Sequence, residues 1–310
     1  MSQRILVLGA GAIGGYYGGR LVEIGGDVTF LVRPRRAEQI ARDGLRIVSS
    51  FGDWTGQVKT VTAGQSAGDF DLILLTCKAY DLEAAIRDLA PFAAGARVLP
   101  VLNGIRHLDA LDAVYGRKRV MAGTCHIGAT LDADGTVRHM NQLHNLLLGP
   151  RDPDQAEAIA ALAALCGRAK MAIKTVPEPM VDLWAKVVFL APLAAMCCLM
   201  RGTVGDIVAT PDGTGLMRRA LAECAAIAGA AGFPPSDKHL ALTGEGLTRA
   251  GSPQHASMLR DLRKGGATEA EHILGDLVGR AQAAGIDAPL LTAALAHLRV
   301  YEAGRDPKKD

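Results

Sequence analysis

The sequence carries little net charge, few aromatic residues and no C-x-x-C pair, and each shortage narrows what it can be. Among 310 residues, 34 lysines and arginines nearly balance 32 aspartates and glutamates, a formal net charge of +2. That balance gives no general electrostatic case for nucleic acid or a membrane surface as partner, so any basic residue that matters must act locally. Aromatics are 4% of the chain against 49% hydrophobic and 21% charged residues, the composition of a soluble globular protein. None of Cys77, Cys125, Cys166, Cys197, Cys198 and Cys224 forms a C-x-x-C pair, which removes support for zinc or thioredoxin-like chemistry. Scattered among alanines and leucines, they read as small core residues in a reducing cytoplasm. The eight histidines show no metal-ligand spacing and no metal is expected. His126 and His139 read as structural or surface residues, and no Ser–His–Asp grouping can be picked out.

Long apolar runs are also missing. Residues 187–200, VVFLAPLAAMCCLM, are fourteen residues broken by Pro192, too few to span a bilayer and suited to a buried core helix. Arg4 followed by ILVLGAGAIGG superficially resembles a secretory signal, but its glycines suit a strand and turn, and no small-x-small cleavage site follows.

Short apolar runs are plentiful in the first half, at 5–9, 28–32, 72–76, 98–102 and 120–124. With helix-like stretches such as 81–92 between them, they predict a mostly parallel sheet covered on both faces. Residues 135–140 and 143–149 read as a hairpin extending that sheet, 152–169 as a helix, and 171–176 as the last strand. Beyond PEP at 177–179, helical patterns run over 180–200, 215–231, 236–249, 254–263, 268–284 and 288–302. The expectation is an α/β Rossmann-type N-terminal domain, 1–175, followed by an all-α domain, 176–310. The RDPKKD tail reads as disordered. The apolar helical half could bury itself or present a homodimer face, and both stay open.

Gly9, Gly11 and Gly14 form G-x-G-x-x-G directly after the first strand and at the start of a helix. The first glycine permits the tight turn, the second lets a pyrophosphate approach the backbone, and the third lets helix and strand pack closely. Amides at the helix start, including those of Ala12 and Ile13, then face the phosphates. Gly15, Gly18 and Gly19 exceed the motif and predict a further close contact, with sheet or ligand. After the second strand an NAD site would place Asp or Glu, whereas this chain has LVRPRR. A guanidinium binds a 2′-phosphate that a carboxylate repels, so Arg33 favours NADP(H), while Arg35 and Arg36 suit either a phosphate contact or a solvated loop.

Four more residues invite a catalytic or binding role, each with an ordinary alternative. Lys186, in LWAKVVFL, is either a partly desolvated general acid or a lysine reaching water from a helix start. Glu269 follows Thr268, which with Glu271 forms a plausible capping box, so Glu269 either complements the helix dipole or serves a site. Lys78 and Asn103 follow apolar strands, where residues face a ligand crevice or cap loops.

Taken in order, GAGAIGGYYGGRL, LVR, CKAYD, LNGI, LWAKVVFL and SMLRDLRKGGATEAE resemble the ketopantoate reductase family over nearly the whole chain. The resemblance implies a Rossmann domain and a helical domain with NADPH and substrate between them, and reduction of 2-dehydropantoate to (R)-pantoate, a small 2-oxo acid. It implies pyrophosphate binding at Gly9, Gly11 and Gly14, 2′-phosphate contact at Arg33, and cofactor proximity for Lys78. It further implies Lys186 as the catalytic lysine, Glu269 as its partner in the site and near the cofactor, and Asn103 and Ser257 as substrate-binding residues, with Asn103 also at the cofactor. Ser257 and Glu269 are twelve positions apart, as in the family pattern. One departure stands out: family asparagines four and eight positions after the lysine are here Leu190 and Ala194. Losing an amide's hydrogen bond in a buried site costs about 1–3 kcal/mol. The alternatives are therefore a related reductase with a more apolar substrate, or a non-catalytic NADP-binding sensor.

Overall fold

A computed structural model describes residues 3–305; the RDPKKD tail beyond its first residue, Arg305, lies outside the described residues. The chain separates into two compact units. The first runs to Leu102 and resumes over His107–Pro179; the second comprises Asn103–Arg106 and the chain from Met180 onward.

The first unit opens with strand β1 (Arg4–Leu8), helix α1 (Ala12–Glu23), β2 (Asp27–Leu31), α2 (Pro34–Asp43), β3 (Leu45–Val48), β4 (Trp54–Gly56) and β5 (Lys59–Val61). It continues with β6 (Leu72–Leu75), α3 (Leu82–Leu89), β7 (Arg97–Pro100), α4 (His107–Tyr115), β8 (Ala122–Leu131), β9 (Thr136–Gly149), α5 (Ala156–Cys166) and β10 (Ala172–Thr175). One sheet has the order β5-β2-β1-β6-β7 with every pairing parallel. This is the Rossmann arrangement, and the winding reverses between β1 and β6, where such sheets bind ligands. The all-apolar sequences of β1 and β6 follow from burial on both faces.

The 120–149 segment departs from the sequence expectation. Beyond one parallel bridge between Val120 and Val98 of β7, it does not extend the parallel sheet; β8 and β9 form one long antiparallel hairpin in a second sheet, order β10-β9-β3-β4, with β8 on β9. The polar Asn141–Gln142 pair, which reads as a break, lies inside β9 where the ladder to β8 is interrupted: Ile127 pairs with His144 and Ala129 with His139, so residues 140–143 bulge opposite Gly128, whose N–H donates to the Asn141 side chain at 3.0 Å. Strands β3, β4 and β5, each three or four residues, are too short for periodicity to reveal.

Helix α1 packs against both sheets, and this accounts for its surplus glycines. A Cβ on Gly14 would collide with the Gly9 carbonyl and the Thr76 hydroxyl, and one on Gly18 would lie 2.7 Å from the Phe30 ring, all on the parallel-sheet side. A Cβ on Gly15 would lie 2.7 Å from Val137, and one on Gly19 2.7 Å from Ile47, both in the second sheet. Spacings of four residues make two glycine faces, one for each sheet. The neighbouring tyrosines add polar ties. Tyr16 Oη lies 3.0 Å from His144 Nδ1, and Tyr17 Oη donates to the Asn145 carbonyl at 3.1 Å. Arg20, fully buried, donates to Glu23 at 2.7 Å and to the Gly52 carbonyl at 2.6 Å.

The second unit is helical: α6 (Pro179–Met200), α7 (Val204–Val208), α8 (Gly213–Ala230), α9 (Asp237–Leu247), α10 (Ser257–Arg263), a π-helical turn (Glu271–Gly275) running into α11 (Asp276–Ala283), and α12 (Pro289–Ala303). The short α7, absent from the sequence reading, is fixed by a capping box between Thr203 and Asp206. Helix α6 is long and apolar enough to cross a membrane by length and composition, but 67% of its most apolar window is buried within the protein.

Replacing Gly18 by alanine gains up to about 1 kcal/mol of helix propensity but overpacks Phe30, which typically costs about 1–3 kcal/mol. Net destabilisation in urea-unfolding experiments is the expected outcome for Gly18→Ala, and a larger one for Gly14→Ala, where the obstruction is backbone. A Gly18→Ala protein more stable than the parent would contradict this packing.

Candidate functional site

In the first unit, the site begins at the β1–α1 turn. Gly9 adopts φ +93°, a conformation that favours glycine, and its N–H donates to the Leu31 carbonyl at 2.9 Å. Thr76, just after β6, donates to the Leu8 carbonyl at 2.7 Å and ties together the two strands flanking the reversal point. Gly11 caps α1 with no side-chain hydrogen bond, and a Cβ placed on it would meet nothing within 4 Å. The amides of Ala12 and Ile13 open the helix beside that clearing. Uncapped amides at a helix start with open space before them suit an anion.

The basic residues after β2 divide by environment. Arg33 is 82% exposed and pairs with Asp81 at 3.1 Å; Arg35 is exposed. Arg36 is half-buried, donating from Nε to the Ala10 carbonyl at 3.2 Å and from Nη1 to Gln39 at 2.7 Å. Its buried Nη2 has no hydrogen-bond partner among the described residues. Burial, reinforced by the positive charge of Arg46, lowers the Arg36 pKa. Together these arginines line a groove of about 870 Å³ that also takes in Arg46, Asp132 and Asp134. Lys78 stands at the head of the 3-10 turn Ala79–Asp81, and its carbonyl accepts from the Asp81 N–H at 2.9 Å. The first unit thus gathers the glycine turn, Arg33, Arg36 and Lys78 around the ends of β1, β2 and β6. These residues fit a phosphorylated dinucleotide: open amides for a pyrophosphate, and guanidinium groups where a carboxylate would repel a 2′-phosphate.

In the second unit, Lys186 lies within α6 rather than at its start, half-buried between buried Trp184 and Val187. The Cys197 thiol meets the Ala256 backbone, and Arg263 donates to the Arg201 carbonyl at 2.8 Å, so α10 runs beside the end of α6. Ser257, the first residue of α10, therefore enters beside the C-terminal half of the helix that carries Lys186. The intervening positions on that face are the half-buried Leu190 and the buried Leu193 and Ala194, none of which offers a hydrogen bond from its side chain.

Glu269 is buried at 6% exposure, and its carbonyl accepts from the Ile273 N–H at 3.0 Å. The capping box expected there does not form. Thr268 instead donates through its N–H and hydroxyl to Glu302, both at 2.7 Å, while Glu271 accepts from Arg299 at 2.6 Å. Glu302 lies 34 residues along the chain, so no local pattern could reveal it.

The sequence reading also passed over His272. It is buried beside Glu269, in the π-helical turn, and shares a hydrogen bond with the backbone of Asn103. Burial lowers its pKa, opposed by the negative charges of Glu269 and Asp276 and assisted by Arg106. The available signal was its position three residues after Glu269, which puts both on one side of a helix. His139 is buried and structural, 3.0 Å from Ser49 Oγ and 2.8 Å from the Leu143 carbonyl; His126 is exposed on β8. Five of the six cysteines are buried and none is in a disulfide; burial pushes the Cys166 and Cys198 thiols up to about 12.

Two family descriptions match the chain: "Ketopantoate reductase PanE/ApbA" over residues 5–153 and "Ketopantoate reductase PanE/ApbA C terminal" over residues 179–302. An uncharacterized oxidoreductase of Bacillus subtilis, YkpB, is 35% identical over 302 residues, covering 97% of this chain and 99% of its own. A 2-dehydropantoate 2-reductase of Halobacterium salinarum is 29% identical, covering 93% and 95%. The crystal structure of a 2-dehydropantoate 2-reductase from Geobacter metallireducens superposes with a TM-score of 0.87 at 28% identity, covering 96% and 99%.

The clearing before Gly11 generates a separable prediction. Gly11→Val should leave the urea-unfolding midpoint nearly unchanged, because no protein atom is in the way. It should weaken nicotinamide dinucleotide binding at least tenfold in a fluorescence titration. Equal affinity in the variant would remove the α1 start from the binding site.

Proposed function

The chain belongs to the ketopantoate reductase family of oxidoreductases, and on that premise we propose that it is a cytoplasmic NADPH-dependent reductase of a 2-oxo acid. The reaction to test first is 2-dehydropantoate to (R)-pantoate, which serves pantothenate and coenzyme A synthesis. The observation that carries this reading is Lys186, a half-buried lysine in a helix whose only other charged residue is Asp182 of its first turn, within the family's C-terminal half.

When bound, the reduced nicotinamide supplies the hydride that reaches the carbonyl carbon. The chain's own residues do the rest. The Gly9–Gly14 turn and the start of α1 hold the pyrophosphate, while Arg33, beside Lys78, meets the 2′-phosphate. Lys186 donates a proton to the carbonyl oxygen as the hydroxyl forms, so the 2-oxo group gains one hydride and one proton. Glu269, Asn103 and Ser257 orient the substrate and the lysine.

A second reading concerns the substrate alone. Half-buried Phe189 and Leu190 flank Lys186 on its helix, and Ala194 lies buried a turn further on. Such a surface favours a 2-oxo acid with a more apolar side chain than that of ketopantoate. Steady-state rates across a panel of 2-oxo acids separate the two: a low KM for ketopantoate would exclude the second reading.

Lys186→Ala should lower kcat by about 10²-fold or more with the preferred substrate; near-normal turnover would remove the lysine from the chemistry. For the cofactor, Arg33→Asp should weaken NADPH binding far more than NADH binding, measured by titration of the two dinucleotides. An equal loss for both would overturn the 2′-phosphate assignment.

A further inference from the structure

The short segment Asn103–Arg106 belongs to the helical unit, and the π-helical turn is what holds it there. Arg106 donates to the Glu271 carbonyl at 3.2 Å. Gly104, at φ +76°, brings its backbone against the His272 imidazole: a Cβ there would sit 3.0 Å from Cδ2 and 3.3 Å from Nε2. The same imidazole shares a hydrogen bond with the Asn103 backbone and is 8% exposed. Two successive residues of one π-turn, Glu271 and His272, therefore grip both ends of the segment. The wide turn is itself unusual, since π-helical stretches occur mostly as single insertions and often beside functional sites. An apolar side chain would fill this space without the cost of desolvating an imidazole. What the imidazole adds is a directed bond to the backbone of Asn103 next to the buried Glu269 carboxylate.

We propose that His272 is a positioning residue: it fixes the Asn103–Arg106 segment on the π-turn and so sets where the Asn103 side chain stands relative to Glu269. Its service to substrate binding rests on the reductase reading above; its grip on the segment does not. His272 acts through Asn103 and need not touch the substrate.

The test uses the full chain with His272→Phe, which keeps a ring in the space without the hydrogen bond, and His272→Gln, which restores a polar group. Hydrogen exchange of the 103–106 peptide reads the grip directly. Protection in that peptide should fall at least tenfold in His272→Phe and recover in part in His272→Gln, while the unfolding midpoint of His272→Phe stays close to that of the parent. Unchanged protection would overturn the proposal. Kinetics read the purpose: His272→Phe should raise KM for the 2-oxo acid about tenfold with a smaller change in kcat. Adding Asn103→Ala to it should then cost little more, although Asn103→Ala alone costs as much. Independent, multiplying effects of the two substitutions would also overturn it, because a purely structural histidine would behave that way. If the parent protein reduces no 2-oxo acid with either nicotinamide, the reductase reading fails, and the exchange experiment still decides whether His272 holds the segment.

Discussion

Helix α1 must approach two sheets at once, and the arrangement of the first unit follows from that closeness. An ordinary helix packs against one layer and carries side chains on the facing surface. Here two glycine faces remove those side chains, so the parallel sheet lies directly against one face and the β3–β9 sheet against the other. The same approach brings the start of the helix up to the end of β1, and the exposed amides at Ala12 and Ile13 are a result of it. The glycines thus serve packing along the helix and ligand access at its tip. Gly14 and Gly11 separate the two functions cleanly, one surrounded by backbone and the other facing open space.

Charge in the first unit is arranged with similar economy. Arg36 is anchored by two neutral acceptors, a backbone carbonyl of the glycine turn and the Gln39 amide, and among the described residues no carboxylate hydrogen-bonds to it directly. Arg33 has a carboxylate partner, Asp81, and is far more exposed. A phosphate entering this groove would meet one guanidinium already fixed and one that must first leave its partner. Preorganised cations lose less freedom on binding than mobile ones.

Much of this was legible in the sequence. G-x-G-x-x-G after an apolar strand located the turn, and the lack of an acidic residue after β2 marked the arginine groove. The helical signals after residue 180 matched the helices of the second unit except α7. What escaped was whatever depended on distant partners. Val137 and Ile47 explain Gly15 and Gly19, yet they lie far along the chain and on a sheet whose β3 and β4 are very short. The T-x-x-E pattern at Thr268–Glu271 promised a capping box, but both side chains found partners on α12. Asn141 and Gln142 do mark an interruption of the β8–β9 ladder, but β9 runs on through it because the Asn141 side chain accepts from the Gly128 and Leu143 N–H groups. His272 was hidden in an amphipathic pattern because no feature of the sequence announces a π-turn.

The cysteines carry a practical consequence. A thiol held near 12 is almost entirely protonated at neutral pH and sterically enclosed, so it reacts slowly with maleimides or oxidants. Cys77 is the exception, half-buried on the loop after β6 and adjacent in the chain to Lys78. A thiol-directed dye should therefore label the native protein at one place, on the loop after β6 next to Lys78, without any engineered cysteine.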